Sequence, residues 1–230
     1  MYKHLFFDLD HTLWDFDRNS TETLQEIYES FRLVDCGVAS VDDFSRHFLQ
    51  INRFLWTEFD NNRVTHADIR QRRFKMVFEA LSLSDYSICD DLNESYLSIL
   101  PRKAHLIEST MDVLDHLKGR YHLHIITNGF DEIQTLKMSS SGITDYFEHI
   151  ITNQKANAKK PDPLIFEFAL NVTEASLGES LMIGDNYDAD VLGAIRAGMD
   201  VVYYNPAQLP VEAEQPTYEI SHLKELIAIL

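Results

Sequence analysis

The sequence predicts an α/β protein, a doubly wound parallel sheet with a block of four helices inserted after its first strand. Three observations carry this. The apolar run Leu5, Phe6, Phe7 near the start of the chain ends abruptly in polar residues, as a strand covered on both faces does. From about residue 19 to 100, apolar residues recur at helical spacing with no convincing strand among them. From about 105 onward, short strand-like runs alternate with helical patterns, which argues for parallel strands with helices on both faces.

The first strand leads into "DLDHT" at 8–12. Next comes "NSTETLQEIYESFRL", which puts Leu24, Ile27, Tyr28 and Phe31 on one helical face, with Asn19 or Ser20 as its N-cap. "SVDDFSRHFLQINRFLWTEF" repeats the pattern with Phe44, Phe48, Ile51, Leu55 and Phe59 behind a Ser40 cap. "THADIRQRRFKMVFEAL" opens on a capping box between Thr65 and Asp68. "YSICDDLNESYLSIL" closes the set before Pro101, completing a small helical bundle. The expected division is therefore residues 1–15 with 101–230 as the α/β domain, and residues 16–100 as the inserted helical domain. In the second half, "HLHIITN", "EHIITN", "SLMIGDN" and "DVVYYN" are the strand runs. Helical patterns near 109–118, 131–140, 163–171, 188–197 and 221–229 separate and follow them.

A chain of 230 residues, 45% apolar and 25% charged, can bury a sizeable core as one large domain or two smaller ones. Its net charge of −17 repels polyanions, which argues against a nucleic-acid polymer or an anionic membrane as partner. A small phosphorylated substrate remains open, provided the site supplies local positive charge. No signal peptide is evident, and no run approaches the ~18 apolar residues that span a bilayer, so a cytoplasmic setting is expected. Cys36 and Cys89 lack metal-site spacing and read as small buried hydrophobes. Asn-x-Ser/Thr matches at Asn19, Asn93 and Asn171 are chance in a chain that is not secreted. Phosphate-loop, dinucleotide-loop, HExxH and CxxC patterns are absent from the sequence.

Polar residues gather at the carboxyl ends of three strands: Asp8 and Asp10, then Thr127 and Asn128, then Asp185. Open α/β sheets bind their ligands there. Asp8 and Asp10, two apart on an extended chain, point to the same side, and their repulsion is costly unless a cation or a proton sits between them. Asp8, Asp185 and the Asp10 main-chain carbonyl form an all-oxygen set suited to Mg²⁺. Asp8 can attack phosphorus to give an aspartyl-phosphate. Asp10 can protonate the leaving oxygen and later deprotonate the hydrolytic water. Thr127, the Asn128 amide and Lys160 can hold the transferring oxygens. Taken singly, each has a plainer reading: Thr127 as a strand-end hydroxyl, Lys160 as a solvated loop lysine, Asp185 and Asp188 as helix caps. In this order and at strand ends, they read together as a site.

The four stretches DLDHT (8–12), ITNG (126–129), KKP (159–161) and GDNYDAD (184–190) resemble the motifs of the haloacid dehalogenase superfamily. The resemblance spans almost the whole chain. It implies a Rossmann-like core with a helical cap inserted after the first motif. It also implies the roles above, with Asp190 supporting the metal shell or Lys160. Dehalogenases of the superfamily lack the aspartate two residues after the nucleophile, so Asp10 points to phosphate chemistry. The third motif has two adjacent lysines and no acidic residue. Lys160 is assigned because it precedes Pro161, and Lys159 stays open.

The inserted segment "INRFLWTEFDNNRVTHADIRQRRF", with "FFDLDHTLWDFD" and "IITNGF", is similar to the pyrimidine 5′-nucleotidases of that superfamily. Asn52, Leu55, Trp56, Thr65, Arg73 and Phe74 carry the match. It implies substrate contacts from Asn52, Trp56 and Arg73, although Leu55, Trp56 and Phe74 at helical spacing would be core in any bundle. The expectation is a Mg²⁺-dependent phosphomonoesterase acting on nucleoside monophosphates. Alternatives on the same site are a sugar- or organic-acid-phosphate phosphatase and a phosphosugar mutase. From another class, a phospho-accepting signalling domain would place its aspartate on a later strand and offers no role for the long insertion.

Overall fold

A computed structural model describes residues 1–211 and 213–230. The chain divides into two compact units, Met1–Asp15 with Ala104–Leu230, and Phe16–Lys103. No helix among the described residues is long and apolar enough to cross a membrane.

Strand β1 (His4–Phe7) opens the first unit. The second unit follows as four helices: α1 (Phe16–Ser30), α2 (Val41–Asp60), α3 (His66–Ala80) and α4 (Cys89–Ile99). Each helix packs on the next and α4 returns to α1, closing a four-helix bundle. Its centre is aromatic: Phe44, Phe48, Phe74 and Tyr96 lie ring against ring, with centroids 4.6–6.2 Å apart. Rings of this kind contribute about 1.5–3 kcal/mol each on full burial, which makes them the main adhesive of the bundle. The expected caps are present on α2, where Ser40 accepts from the Asp43 N–H, and on α3, where Thr65 and Asp68 form a capping box.

Two expectations for this unit are corrected. Asn19 and Ser20 do not cap α1. The helix begins at Phe16, and both residues are buried inside it, with Ser20 sharing a 2.8 Å hydrogen bond with the Tyr96 hydroxyl. Of the two cysteines, Cys89 is buried but Cys36 is exposed, because it lies in the turn after α1 rather than on an apolar face.

The first unit continues with α5 (Thr110–Leu117), β2 (His122–Thr127), α6 (Asp131–Ser140), β3 (His149–Thr152), α7 (Asn153–Ala156), α8 (Pro163–Val172), β4 (Ser180–Gly184), α9 (Gly193–Arg196), β5 (Asp200–Tyr204), β6 (Tyr218–Ile220) and α10 (Leu226–Ile229). All six strands are parallel, in the order β3-β2-β1-β4-β5-β6. One face is sealed by Phe6, Ile126, Met182 and Val201 packing on Ile165, Phe166 and Ala169 of α8 and Ala194 of α9. Leu5 and Phe7 point to the opposite face and are equally buried. Both faces are therefore covered, as the continuous apolar runs required.

The sequence reading missed β6, a three-residue edge strand in which only Ile220 is buried, too short to show a period. The helix expected at 188–197 is a π-helical turn, Tyr187–Leu192, running into α9. The helix expected at 221–229 shrinks to a 3₁₀ turn, Leu223–Glu225, followed by α10.

Two features of this unit matter below. Where the chain leaves and re-enters it, the two passages run side by side: the Asp15 N–H bonds the His105 carbonyl (3.1 Å) and the Ile107 N–H bonds the Leu13 carbonyl (2.9 Å). Along β1, β2 and β3, the imidazoles of His122, His4, His124 and His149 form a row with centroids 4.8, 5.4 and 5.5 Å apart. His4 Nδ1 and His124 Nε2 share a 3.1 Å hydrogen bond.

Candidate active site

Asp8 directly follows β1, and its N–H extends the ladder to the Ile183 carbonyl of β4 at 2.9 Å. Thr127 ends β2 and Asp185 follows β4, so the carboxyl ends of three adjacent strands meet here. Strand order runs outward to β2 and β3 on one side of β1 and to β4 through β6 on the other. The crevice at such a reversal is where open α/β sheets place ligands.

Lys160, brought in by the segment before α8, anchors the centre. Its buried ammonium donates to Asp8 Oδ1 (2.5 Å), Asp190 Oδ1 (2.6 Å) and the Ile126 carbonyl (2.9 Å). Lys159 is half-buried beside it. The Asn128 side chain clamps the backbone of Lys160 from both ends, accepting from its N–H (2.8 Å) and donating to its carbonyl (2.9 Å). That side-chain amide is thereby committed to the lysine backbone.

Asp190 is fully buried, with its second oxygen accepting from the Asn186 N–H at 3.0 Å. Asp185 accepts from the buried Thr12 hydroxyl at 3.0 Å. Thr127 Oγ1 accepts from Gln134 (2.7 Å) and from the Gly129 N–H (3.1 Å), so what it has left to offer is its hydroxyl proton.

Asp10 stands in a different setting from Asp8. Lys137 of α6 donates to both its oxygens, at 2.6 and 2.8 Å, and Gln134 donates to Oδ2 at 2.9 Å. The Lys137 ammonium also lies 4.6 Å from the centre of the Trp14 ring. Each of the two like charges in the first motif thus has its own ammonium group. Burial, aided by Asp190 and opposed by Lys160, pushes the Asp8 carboxyl up to about 7. Burial also acts to raise Asp10, but the Lys137 ammonium and the bonds from Lys137 and Gln134 override it and hold this carboxyl below the ordinary carboxylate value.

A divalent cation fits the donor set. Asp8, Asp185 and Asp190 each present an oxygen, the three lying within 4.8 Å of one another. Among the described residues, Lys137 donates to Asp10 and Lys160 to Asp8 and Asp190, while Asp185 takes its hydrogen bond from the neutral Thr12 hydroxyl. Burial first, then Asp8 and Asp190, drive Asp185 well above the ordinary carboxylate value. An oxygen-only, acidic donor set of this kind suits Mg²⁺.

Neither Gln134 nor Lys137 was anticipated, and Thr12 was read only as part of its motif. A signal was present: with Met138 they form the buried face of α6 at i, i+3 and i+4, positions where apolar residues are the rule.

Among the residues expected to contact substrate from the helical unit, Asn52 and Arg73 meet. The Arg73 guanidinium donates to Asn52 Oδ1 (3.2 Å) and to Asn93 Oδ1 (2.8 Å), 4.5 Å from the Tyr96 ring centre and 5.2 Å from that of Phe48. Burial lowers its pKa to about 10, and its buried Nε has no hydrogen-bond partner among the described residues. Trp56 is half-buried in a satellite cluster, edge-on to Phe59 and His66.

The chain is similar to known proteins over most of its length. The family model of haloacid dehalogenase-like hydrolases matches residues 2–198. Pyrimidine 5′-nucleotidase PynA of Streptococcus pneumoniae (strain ATCC BAA-255 / R6) is 32% identical over 233 residues, covering 100% of this chain and 95% of the relative. Pyrimidine 5′-nucleotidase YjjG of Escherichia coli (strain K12) is 28% identical over 229 residues, covering 98% and 96%. The crystal structure of YfnB from Bacillus subtilis, named as a HAD-hydrolase and bound to magnesium, superposes with a TM-score of 0.87 at 27% identity, covering 99% and 98%.

Proposed function

The chain belongs to the haloacid dehalogenase-like hydrolases, and on that premise we propose that it is a Mg²⁺-dependent phosphomonoesterase working through an aspartyl-phosphate on Asp8, with pyrimidine nucleoside 5′-monophosphates as preferred substrates. One observation carries the phosphatase reading: a second carboxyl, Asp10, sits two residues from the nucleophile and is held by its own partners, Lys137 and Gln134. A hydrolase that expels halide has no leaving oxygen to protonate. One that expels an alcohol does. The substrate preference rests on the two relatives named as pyrimidine 5′-nucleotidases, each matched over nearly its whole length.

In this reading the Asp8 carboxylate attacks phosphorus and the bond to the leaving oxygen breaks. Asp10, which Lys137 and Gln134 hold as the carboxylate beforehand, takes up the proton that the ester monoanion brings and passes it to that oxygen. Water then attacks the phosphorus of the aspartyl-phosphate while Asp10 takes the proton back, the bond to Asp8 breaks, and phosphate departs. The Thr127 hydroxyl, the Asn128 amide and the Lys160 ammonium stabilise the charge on the transferring oxygens. Asp8, Asp185 and the Asp10 carbonyl would hold Mg²⁺, with Asp190 behind them. The ion supplies the positive charge that lets an anionic ester approach an anionic nucleophile.

A phosphate-release screen over pyrimidine and purine 5′-monophosphates, sugar phosphates and organic-acid phosphates tests both levels. Highest kcat/KM on pyrimidine nucleotides supports the full reading. A sugar phosphate as best substrate overturns the nucleotidase reading and keeps the phosphatase. No phosphate release from any ester overturns both.

A further inference from the structure

We propose that Lys137 and Gln134 are positioning residues for the Asp10 carboxyl, fixing from helix α6 the group that serves first the leaving oxygen and then the attacking water. This rests on the reading of Asp10 as the acid/base of a phosphatase.

Asp10 lies in the loop after β1, where two side-chain torsions would let its carboxyl swing. α6 removes that freedom. The Lys137 ammonium grips both carboxyl oxygens and thereby fixes the plane of the group (2.6 and 2.8 Å). Gln134, one turn earlier on the same buried face, adds a third N–H at Oδ2 and donates also to Thr127 Oγ1, tying the acid/base to the end of β2. Lys137 has a side chain 4% exposed, a placement that only a strong partner sustains. Space for Gln134 is kept by Gly129: a Cβ added there would stand 2.3 Å from its Nε2. Among the described residues Oδ2 accepts from two groups and Oδ1 from Lys137, so Oδ1 is the oxygen with room for the transferred proton.

The step that depends on this placement is balanced as follows. As the Asp8 carboxylate forms its bond to phosphorus, the electron pair of the breaking ester bond goes to the leaving oxygen, which takes the proton from Asp10 Oδ1. In the second half, water gives that proton back to Asp10 as its oxygen bonds phosphorus and the bond to Asp8 breaks. A misplacement of about 1 Å in a proton-transfer partner costs on the order of 10²-fold in rate.

The test compares two leaving groups. p-Nitrophenolate departs without help from an acid, whereas an alkoxide needs a proton. Lys137→Met, Lys137→Arg and Gln134→Met are assayed with Mg²⁺ on p-nitrophenyl phosphate and on uridine 5′-monophosphate, or on whichever alkyl phosphate wins the screen. Lys137→Met should lower kcat on the alkyl ester by roughly 10- to 100-fold with KM changed less than about threefold. On the aryl ester it should accumulate phosphoenzyme, because the transfer to Asp8 stays fast while the water-activating step is slowed. Lys137→Arg should restore part of the loss. Combined with Asp10→Asn, Lys137→Met should add less than about twofold, since the group it positions is gone. Equal losses on both esters with no trapped phosphoenzyme, or additive losses in the double variant, would overturn the proposal and leave α6 a purely structural role. If Lys137→Met fails to fold, Gln134→Met carries the same comparison. Wild-type protein that releases phosphate from neither ester overturns the phosphatase reading, and this proposal with it.

Discussion

An added Cβ at Gly184 would stand 2.2 Å from the Asp190 Oδ2 atom, closer than any real side chain tolerates. The glycine of the last motif is therefore fixed by the carboxylate six residues later, which occupies its Cβ space and meets Lys160 with its other oxygen (2.6 Å).

Gly184→Ala should evict Asp190 and loosen Lys160 from Asp8. Overpacking at a buried strand end costs about 1–3 kcal/mol, and activity should fall by on the order of 10²-fold through misplacement of the charge cluster. Urea midpoints and kcat measured side by side check both. Full activity would mean that the glycine answers to something other than Asp190.

Asp8→Asn should abolish turnover and any acid-stable, hydroxylamine-labile phosphoenzyme, because an amide is a poor nucleophile and a poor ligand for Mg²⁺. Asp10→Asn should keep metal binding and slow turnover by ~10²-fold or more, the usual scale for losing a general acid/base. Retained activity in Asp8→Asn would remove Asp8 as the nucleophile.

Excess EDTA should stop phosphate release and Mg²⁺ should restore it. Mg²⁺ should also raise the melting temperature by binding the folded charge cluster, a readout independent of turnover. Ca²⁺, with more ligands at longer distances, should inhibit by drawing in the second oxygen of Asp8. Undiminished turnover in chelator would exclude the metal role.

The imidazole row predicts a pH dependence of stability. Burial, then the facing rings of His4, His149 and His122, push His124 down to about 3. His4 moves the same way, its burial and His122 and Lys3 outweighing the opposite pull of Glu148 and Glu179. The folded state thus keeps His124 neutral, while the unfolded chain takes up its proton below about 6.5. Stability is complete above that pH and falls as pH drops from about 6.5 toward 3, by up to ~1.4 kcal/mol per unit for this group. Between pH 7 and pH 5, wild-type protein should therefore lose ~1–2 kcal/mol more than His124→Phe in chemical denaturation. An equal loss in the two proteins would show that this imidazole takes up its proton as readily in the folded state as in the unfolded chain.

Much of the fold could be read from the sequence because parallel strands buried on both faces are continuous apolar runs. Leu5 to Phe7, Leu181 to Ile183 and Val201 to Tyr204 are of that kind. Tyr218–Ile220 is an edge with one buried residue and gives no such signal. In the site, Asp8 and Asp185 could be placed because each follows a recognisable strand run, Lys160 because it precedes Pro161, and Asp190 through the motif resemblance, and the structure brings them within hydrogen-bond or near-contact distance. Lys137 and Gln134 could not. Their partner Asp10 lies 127 and 124 positions away, and a polar residue on a helix is read by default as facing water. The carbonyl clamp of Asn128 escaped for a related reason: a side chain that holds backbone looks, in sequence, like one that holds ligand.

The paired passages at Asp15–His105 and Leu13–Ile107 bear on how such a protein can diversify. Entry and exit of the Phe16–Lys103 segment are fastened to each other within the sheet-bearing unit, so this segment is a cassette bounded by two adjacent cuts. The six strands described and the charge cluster of Asp8, Asp10, Lys160, Asp185 and Asp190 all lie outside it in the chain. A recombination event, or a designed graft, can therefore trade one helical block for another from a relative while the hydrolytic machinery is inherited unchanged.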